Sequence, residues 1–188
     1  MNDIWNINLS AWVIQDGNYS DFEVGQETSF ALELFPRKLE VSKNTKTSAT
    51  ALEAGWYSVC AETAFARPLV LDFGLLAGAG VLYPNDPLCH ESGQMLEGEI
   101  ALFLDSTHFV EELVTETSGM PSLTYTWMIE GISILAGAPY VRSIVNSQRC
   151  WVRDLSKATY KKIERTNAMY DDRGHAEYLL HCRKLEVP

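Results

Sequence analysis

The stretch IWNINLSAWVI, residues 4–14, alternates apolar and polar side chains with a period of two. Its apolar positions include Trp5, Ile7, Leu9, Ala11 and Val13, and its polar positions are Asn6, Asn8 and Ser10. Successive side chains of a β-strand point to opposite faces, so this pattern predicts a strand with one buried face. Similar patterns recur along the chain, and together they predict a mainly β protein.

Turn residues separate the other strand-like segments. These segments are 28–35, 56–63, 68–77, 98–105, 123–135, 139–146 and 176–185. Glycine, proline, asparagine and aspartate stand between them, as in QDGN at 15–18 and YPNDP at 83–87, and these residues favour tight turns. About eight short strands with such stops predict a β-barrel or a β-sandwich, and an OB-like Greek key is one arrangement that they allow.

One segment has the periodicity of a helix. In DSTHFVEELVTE, residues 105–116, the apolar side chains at 109, 110, 113 and 114 would share one helical face. Asp105 or Ser106 is suited to cap the first turn. The sequence therefore predicts one short helix near 106–116, placed between strands.

The length of the chain favours a simple domain organisation. A chain of 188 residues is most simply one domain, so we expect a single β-rich domain over residues 1–188. Residues 37–55 are rich in serine, threonine and lysine, and we expect a long mobile loop there.

The charge of the chain is divided unevenly. Residues 1–140 hold 19 acidic and 5 basic side chains, whereas residues 141–188 hold 6 acidic and 10 basic ones. The two balances are −14 and +4, which sum to the net charge of −10. An acidic surface of this kind attracts basic partners and repels polyanions at long range.

The basic excess is concentrated in RCWVRDLSKATYKKIER, residues 149–165. Five basic residues four positions apart form what we call the basic stripe: Arg149, Arg153, Lys157, Lys161 and Arg165. On a helix or on a strand these positions share one face, so their spacing leaves the local structure open. We favour a hairpin in which a strand near 158–170 pairs with one at 175–185 across the turn DDRG.

Aromatic side chains offer two kinds of binding surface. Trp151 and Tyr160 are interleaved with the basic stripe, and basic residues with aromatic rings are typical of single-stranded nucleic-acid binding. The alternative is that the stripe faces the acidic regions of the protein itself, or simply water. Trp12 and Trp56 fall on the polar sides of their segments, where they serve as exposed anchors in a protein interface or cover a second apolar layer.

No sequence motif indicates a cofactor or a metal, and we expect neither. Cys89–His90 and His181–Cys182 are adjacent pairs, whereas zinc ligands in one pair are usually about two to four residues apart. Glu97 and Glu99 are the carboxylates that a small enzyme with a site at the barrel mouth would use.

The cysteines and the apolar runs bear on the compartment. The four cysteines are widely spaced, and the first residues lack the basic region of a signal peptide. The longest apolar run, residues 68–84, contains Asp72 and is shorter than the roughly 20 residues of a membrane span. We expect a cytoplasmic protein with free thiols and no membrane contact.

These features favour a binding module without enzymatic activity. We expect it to recognise a basic protein partner through its acidic surface, as an inhibitor or immunity-type protein would. The candidate binding residues are Arg149, Trp151, Arg153, Lys157, Tyr160, Lys161, Arg165, Trp12 and Trp56. The alternatives are an OB-like binder of single-stranded nucleic acid that uses the basic stripe, and a small enzyme with a carboxylate site.

Overall fold

The computed structural model describes residues 4–79, 91–137, 140–145, 148–153 and 158–186, and at 140 and 143–153 it describes the backbone only. Twelve strands and two α-helices lie within these ranges. In chain order they are β1 Trp5–Ser10, α1 Ala11–Gln15, β2 Glu27–Val41, β3 Ser48–Ala51, β4 Trp56–Phe65, β5 Val70–Asp72, β6 Leu76–Ala79, β7 Met95–Leu104, α2 Phe109–Glu116, β8 Thr124–Ala136, β9 Tyr140–Val145, β10 Gln148–Arg153, β11 Thr159–Ile163 and β12 Glu177–Lys184.

Ten strands form one sheet, and eight of them close into a ring. The ring runs in the order β1, β7, β4, β5, β6, β2, β8, β12 and returns to β1. The pairs β1–β7 and β2–β6 are parallel, and the other pairs in the ring are antiparallel. The prediction of a mainly β, barrel-like or sandwich-like protein is confirmed, with more strands in the ring than an OB-fold has.

The apolar residues of the alternating segments form the core. Its largest fully buried side chains include Ile7, Leu9, Phe30, Leu32, Leu34, Tyr57, Leu96, Ile100 and Trp127. Trp127 stacks on Phe30 with ring centroids 5.6 Å apart, and its Nε1 donates a hydrogen bond to the Phe30 carbonyl at 3.3 Å. Trp5, on the apolar side of its alternating segment, and Trp127 are both buried.

The predicted helix near 106–116 is present as α2. The Asp105 carboxylate accepts hydrogen bonds from the backbone N–H groups of Val110 and Glu111 at 2.8 and 3.2 Å, so it caps the first turn as predicted. Val110 is buried against a second, smaller apolar cluster that includes Ala31 and Leu123. This cluster covers the side of β2 that faces away from the core.

Three local predictions are corrected by the structure. The first strand ends at Ser10, and Trp12 lies on α1 instead of continuing the strand. The segment 68–77 is a hairpin of β5 and β6, because the Asp72 carboxylate accepts a hydrogen bond from the Gly74 N–H at 2.9 Å and closes a turn. The segment 37–55 is not one loop, since it contains the end of β2 and the whole of β3.

The predicted hairpin across DDRG is also wrong. Strand β11 pairs with β8, and β12 pairs with β8 and β1, so that β8 lies between β11 and β12 in the sheet. Strands β11 and β12 each gain apolar residues of β8 as neighbours. The local turn pattern at 171–174 does not reveal this pairing. No helix in the described part of the chain is long and apolar enough to cross a membrane.

Candidate functional site

One outer face of the ring collects aromatic and acidic side chains. Leu32 and Leu34 of β2 point into the core, so Glu33 and Phe35 point to the opposite, outer side. In the register of β2 and β7, Glu33 lies opposite Phe103, and Phe35 lies opposite Ala101. The rings of Phe35 and Phe103 meet edge to face, with centroids 4.9 Å apart.

Strands β4 and β1 extend this face on the other side of β7. Trp56 of β4 is paired with Ala101, and Asn8 of β1 is paired with Phe103. Directly paired residues lie on the same side of a sheet, so these side chains also point outward. We call this surface the acidic–aromatic face, and its residues are Trp12, Glu33, Phe35, Trp56, Glu97, Glu99 and Phe103.

A small pocket of about 130 Å³ lies at one end of the acidic–aromatic face. Its wall includes Asn8, Ser10, Trp12, Glu33, Phe35, Phe103 and Ser106. We call it the Glu33 pocket. Trp12 lies on α1, where 46% of its surface is exposed, so its predicted exposure is confirmed and its ring borders the pocket.

Glu33 is the unusual group in this pocket. It is only 7% exposed, and within the described residues its carboxylate has no hydrogen-bond or ion-pair partner. Burial, and then the negative charge of Asp105, raise the pKa of Glu33 from 4.5 to about 7. A carboxylic acid of this kind changes charge near neutral pH.

Asp105 places a second acidic group beside Glu33. Asp105 is 1% exposed, and burial is the main reason that its pKa is raised. One of its oxygens caps α2, but the other, Oδ1, is buried without a hydrogen-bond partner among the described residues. The pocket wall therefore has one buried acidic side chain, Glu33, and the negative charge of Asp105 acts on it from outside the wall.

The turn before α2 is held by an aromatic stack. The Tyr19 hydroxyl donates a hydrogen bond to the Asp105 carbonyl at 3.0 Å, and its ring stacks on His108 with centroids 5.0 Å apart. His108 in turn contacts the Glu111 carboxylate at 3.2 Å. Burial, followed by the charges of Asp105 and Glu111, raises the pKa of Tyr19. These contacts hold Asp105 in place.

The second predicted anchor, Trp56, is half-buried beneath a neighbouring basic side chain. The Arg37 guanidinium lies 4.1 Å from the centre of the Trp56 ring and forms an ion pair with Glu99 at 2.8 Å. Arg37 is the extra residue of a β-bulge, because the β2–β7 register shifts between Pro36 and Lys38. The protein thus already places one cation of its own on this face.

A wide groove of about 820 Å³ lies beyond Trp56 and is lined by Glu97 and Glu99. The groove required by a small enzyme with these carboxylates is therefore present. Glu97 accepts hydrogen bonds from the Ser42 hydroxyl at 2.7 Å and the Asn44 amide at 3.2 Å, and Glu99 is paired with Arg37. Because both groups already have partners, neither has the environment of a general acid or base.

The basic stripe is divided between two sheets. Arg149, Trp151 and Arg153 belong to β10, which pairs with β9 apart from the ten-stranded sheet, and their side chains lie outside the description. Lys157 also lies outside the described residues. Tyr160 and Lys161 belong to β11. Arg165 lies beyond this strand and is paired with Glu23 through an isolated backbone β-bridge.

Within β11 the aromatic and basic groups point in different directions. Tyr160 and Lys161 are consecutive residues of a strand, so their side chains lie on opposite faces. Burial, and then Glu177, raise the pKa of Tyr160, which is 41% exposed. The described part of the stripe therefore does not form the continuous basic and aromatic track that single-stranded nucleic acid requires.

A titration with single-stranded nucleic acid tests this conclusion. We expect fluorescence anisotropy of labelled single-stranded DNA and RNA to show no salt-sensitive binding in the micromolar range, because the acidic majority of the chain repels phosphates. Lys161→Glu should then change nothing. Micromolar binding that weakens with salt and is lost in Lys161→Glu would contradict this expectation.

Three strands also carry a chain of hydrogen bonds from Ser133 through His181 to Asn6. The Ser133 hydroxyl lies 2.9 Å from His181 Nε2, and His181 Nδ1 lies 2.7 Å from the Asn6 side-chain oxygen. Burial, and then the charge of Lys162, lower the pKa of His181, which favours the neutral ring. Ser133 is only 5% exposed, so this arrangement is better suited to joining β1, β8 and β12 than to attacking a substrate.

The cysteines whose side chains are described are buried, and no cluster of metal-ligating side chains within the described residues surrounds them. Cys60 and Cys182 are free and buried, and burial raises the pKa of the Cys182 thiol, which makes it a poor nucleophile. Cys89 and His90 lie outside the described residues. Within the part that is described, no group of three or more metal-ligating side chains comes together.

The sequence pointed to Trp12 and Trp56 but missed Glu33 and Asp105. Glu33 was not singled out in the sequence, and Asp105 was identified only as a helix cap. The signal that could have found the pocket is Phe35 and Phe103, which are large apolar residues on the polar sides of their strands. Comparison with protein-family models, curated proteins and solved structures finds no match, so the site is interpreted from its geometry alone.

Proposed function

We propose that this protein is a non-enzymatic binding module that recognises a basic protein partner through the acidic–aromatic face. The observation behind the proposal is that exposed Trp12 and the carboxylates of Glu33, Glu97 and Glu99 lie on one outer face formed by β1, β2, β4, β7 and α1. A tryptophan anchor beside acidic groups is a suitable surface for a positively charged partner.

The charge distribution supports the same kind of partner. Residues 1–140, which contain the whole acidic–aromatic face, have a balance of −14, from 5 basic and 19 acidic side chains. Such a field accelerates the association of a basic protein, and salt screens the effect. The free thiols of Cys60 and Cys182 favour a reducing compartment, and we therefore place this function in the cytoplasm.

Replacing Trp12 tests the proposal. Affinity capture from a lysate of the source cells, read by quantitative mass spectrometry, should retain a partner that is rich in lysine and arginine. Trp12→Ala should weaken the binding of the purified partner by about tenfold or more, because truncation of a central tryptophan anchor typically costs this much. Raising the NaCl concentration should slow association with the wild-type protein.

A matched aromatic replacement provides the control. Tyr170 is 80% exposed and belongs to neither the pocket nor the groove, so Tyr170→Ala should bind as the wild type does. Circular dichroism should show that both variants remain folded. A partner that is acidic, or one that binds Trp12→Ala and wild type equally well, would show that the proposal is wrong.

A further inference from the structure

We infer that the Glu33 pocket is a subsite for one cationic side chain, lysine or arginine, of the partner. The inference rests on the proposed function, since it names the group that the acidic–aromatic face would recognise. It identifies a particular binding site in place of a general attraction between surfaces.

The size and the wall of the pocket suit a single long side chain. A volume of about 130 Å³ has room for one side chain but not for a folded segment. Trp12, Phe35 and Phe103 supply aromatic surface along which the methylene groups of lysine or arginine can pack. Aromatic rings also attract a cation within about 6 Å of their centres.

The buried acidic groups define the charge of the occupant. Removing a carboxylate from water is unfavourable unless an opposite charge or hydrogen-bond donors replace the water. Among the described residues the Glu33 carboxylate, which belongs to the pocket wall, has no such partner. An ammonium or guanidinium group carries several N–H donors and a positive charge, so it supplies what the Glu33 carboxylate lacks.

The charged surroundings of the pocket strengthen this assignment. Asp105 faces Glu33 from the end of β7, and Glu111 and Tyr19 approach Asp105 from α2 and from the loop before β2. Ser10 in the pocket wall donates a hydrogen bond to Glu177 of β12. No lysine or arginine belongs to the wall of the pocket in the described part of the chain, so none of the described wall residues supplies a positive charge to Glu33.

The pocket should also respond to pH. Because the pKa of Glu33 is about 7, a cation that binds the ionised carboxylate competes with a proton below this pH. The affinity for the cation should fall by up to about tenfold for each pH unit below 7. Above pH 7 the affinity should depend little on pH.

Simple amines can test the pocket without knowledge of the partner. n-Butylammonium represents the lysine side chain, ethylguanidinium represents arginine, and n-butanol is a neutral control of similar shape. Titrated at about pH 8 and constant ionic strength, the cations should shift the NMR signal of the Trp12 indole N–H in a saturable way with a millimolar dissociation constant. The tighter of the two cations then identifies the preferred side chain.

Two glutamate variants make the result specific. Glu33→Gln removes the charge in the pocket and should weaken the binding of n-butylammonium by about tenfold or more. Glu112→Gln removes the same charge from the exposed side of α2 and should leave the binding unchanged. Equal shifts with n-butanol, no saturable shift with either cation, or equal binding by Glu33→Gln would overturn the inference.

The outcome for the subsite can be separated from that for the proposed function. If partner binding depends on Trp12 but is the same in Glu33→Gln, the binding module stands and the subsite does not. If the cations bind at Glu33 but no basic partner depends on Trp12, the pocket stands and the proposed function fails.

Discussion

Glu33→Gln should make the protein more stable at about pH 8 by up to roughly 3 kcal/mol. In the folded protein the pKa of Glu33 is raised from 4.5 to about 7, so above pH 7 an unpaired carboxylate is held in a buried position. Glutamine has nearly the same shape and no charge. The variant therefore avoids the free energy that the native protein spends on burying the ionised group.

The direction of the pH dependence follows from the raised pKa. Below about pH 4.5 the group is protonated in both the folded and the unfolded wild-type protein, and it contributes no pH dependence. Between 4.5 and 7 the folded protein holds the proton and the unfolded chain does not, so the wild-type protein loses stability as the pH rises. Above pH 7 both states are ionised and the difference stays constant.

Urea denaturation at about pH 4 and about pH 8 measures this effect. We expect Glu33→Gln and the wild type to differ little at the lower pH, and the variant to be more stable at the higher pH. Its melting temperature at the higher pH should rise by several degrees, up to roughly 10 °C. Glu112→Gln, whose side chain is exposed, should show no such difference. A Glu33→Gln variant that is less stable at both pH values would show that Glu33 has a structural partner.

The unpaired Glu33 carboxylate lowers the stability of the protein, although it lies on a side of β2 that is mostly covered. Stabilising replacements commonly cost function where the site depends on a strained or destabilised group. Gln or an apolar residue at position 33 would fit the strand and its second apolar layer better than an unpaired carboxylate does. The stability of Glu33→Gln and its affinity for n-butylammonium should therefore change in opposite directions.

The sequence predicted the parts of the fold that local patterns determine. The alternation of apolar and polar residues correctly predicted the buried faces of five strands, β1, β2, β4, β7 and β8. It could do so because the pattern is complete within the few residues of each strand. The 3.6-residue period of apolar side chains and the capping residue Asp105 predicted α2, because both signals are also local. In each case the deciding interactions lie within the segment itself.

Pairing between distant strands could not be predicted in this way. The DDRG turn suggested that β11 pairs with β12, but both pair with β8, whose central residues offer each of them an apolar neighbour. The pairing partner of a strand depends on the burial of side chains across the whole sheet. A turn of four residues carries no information about that burial. The parallel pairs β1–β7 and β2–β6 were missed for the same reason.

The Glu33 pocket was missed because alternation describes one buried face at a time. It could not show that α1 and the turn at Asp105 cover the side of β2 on which Glu33 lies. Trp12 was assigned to a strand, yet its exposure was predicted correctly, since a helix also turns this residue away from the core. The basic stripe was regular in sequence and is divided in space.

Gly98→Ala should destabilise the protein by about 3 kcal/mol or more, because the added methyl group meets backbone instead of a side chain. A Cβ at position 98 would lie 1.8 Å from the carbonyl oxygen of Lys38 on the neighbouring strand. Strand β7 pairs with β2 on one side and with β4 on the other, so it has no free side toward which it could move. The close approach occurs beside the bulge at Arg37.

The consequence should reach the acidic–aromatic face as well. If β2 and β7 separate near Gly98, the Arg37–Glu99 ion pair and the stacking of Arg37 on Trp56 lose their geometry. Thermal unfolding followed by circular dichroism should show a melting temperature lower by roughly 6–12 °C. Intrinsic tryptophan fluorescence of the folded variant should change at the same time, since Trp56 becomes more exposed.

Gly131→Ala is the matched control for this experiment. Gly131 also lies within a strand, but an added Cβ there would meet only the His181 side chain, at 3.3 Å. Replacing a glycine of ordinary backbone conformation by alanine restricts the unfolded chain and often stabilises a protein slightly, so we expect a change within about 1 kcal/mol. Equal losses of stability in Gly98→Ala and Gly131→Ala would mean that the contact between β2 and β7 is looser than the structure shows, and that the groove beside it has no fixed shape.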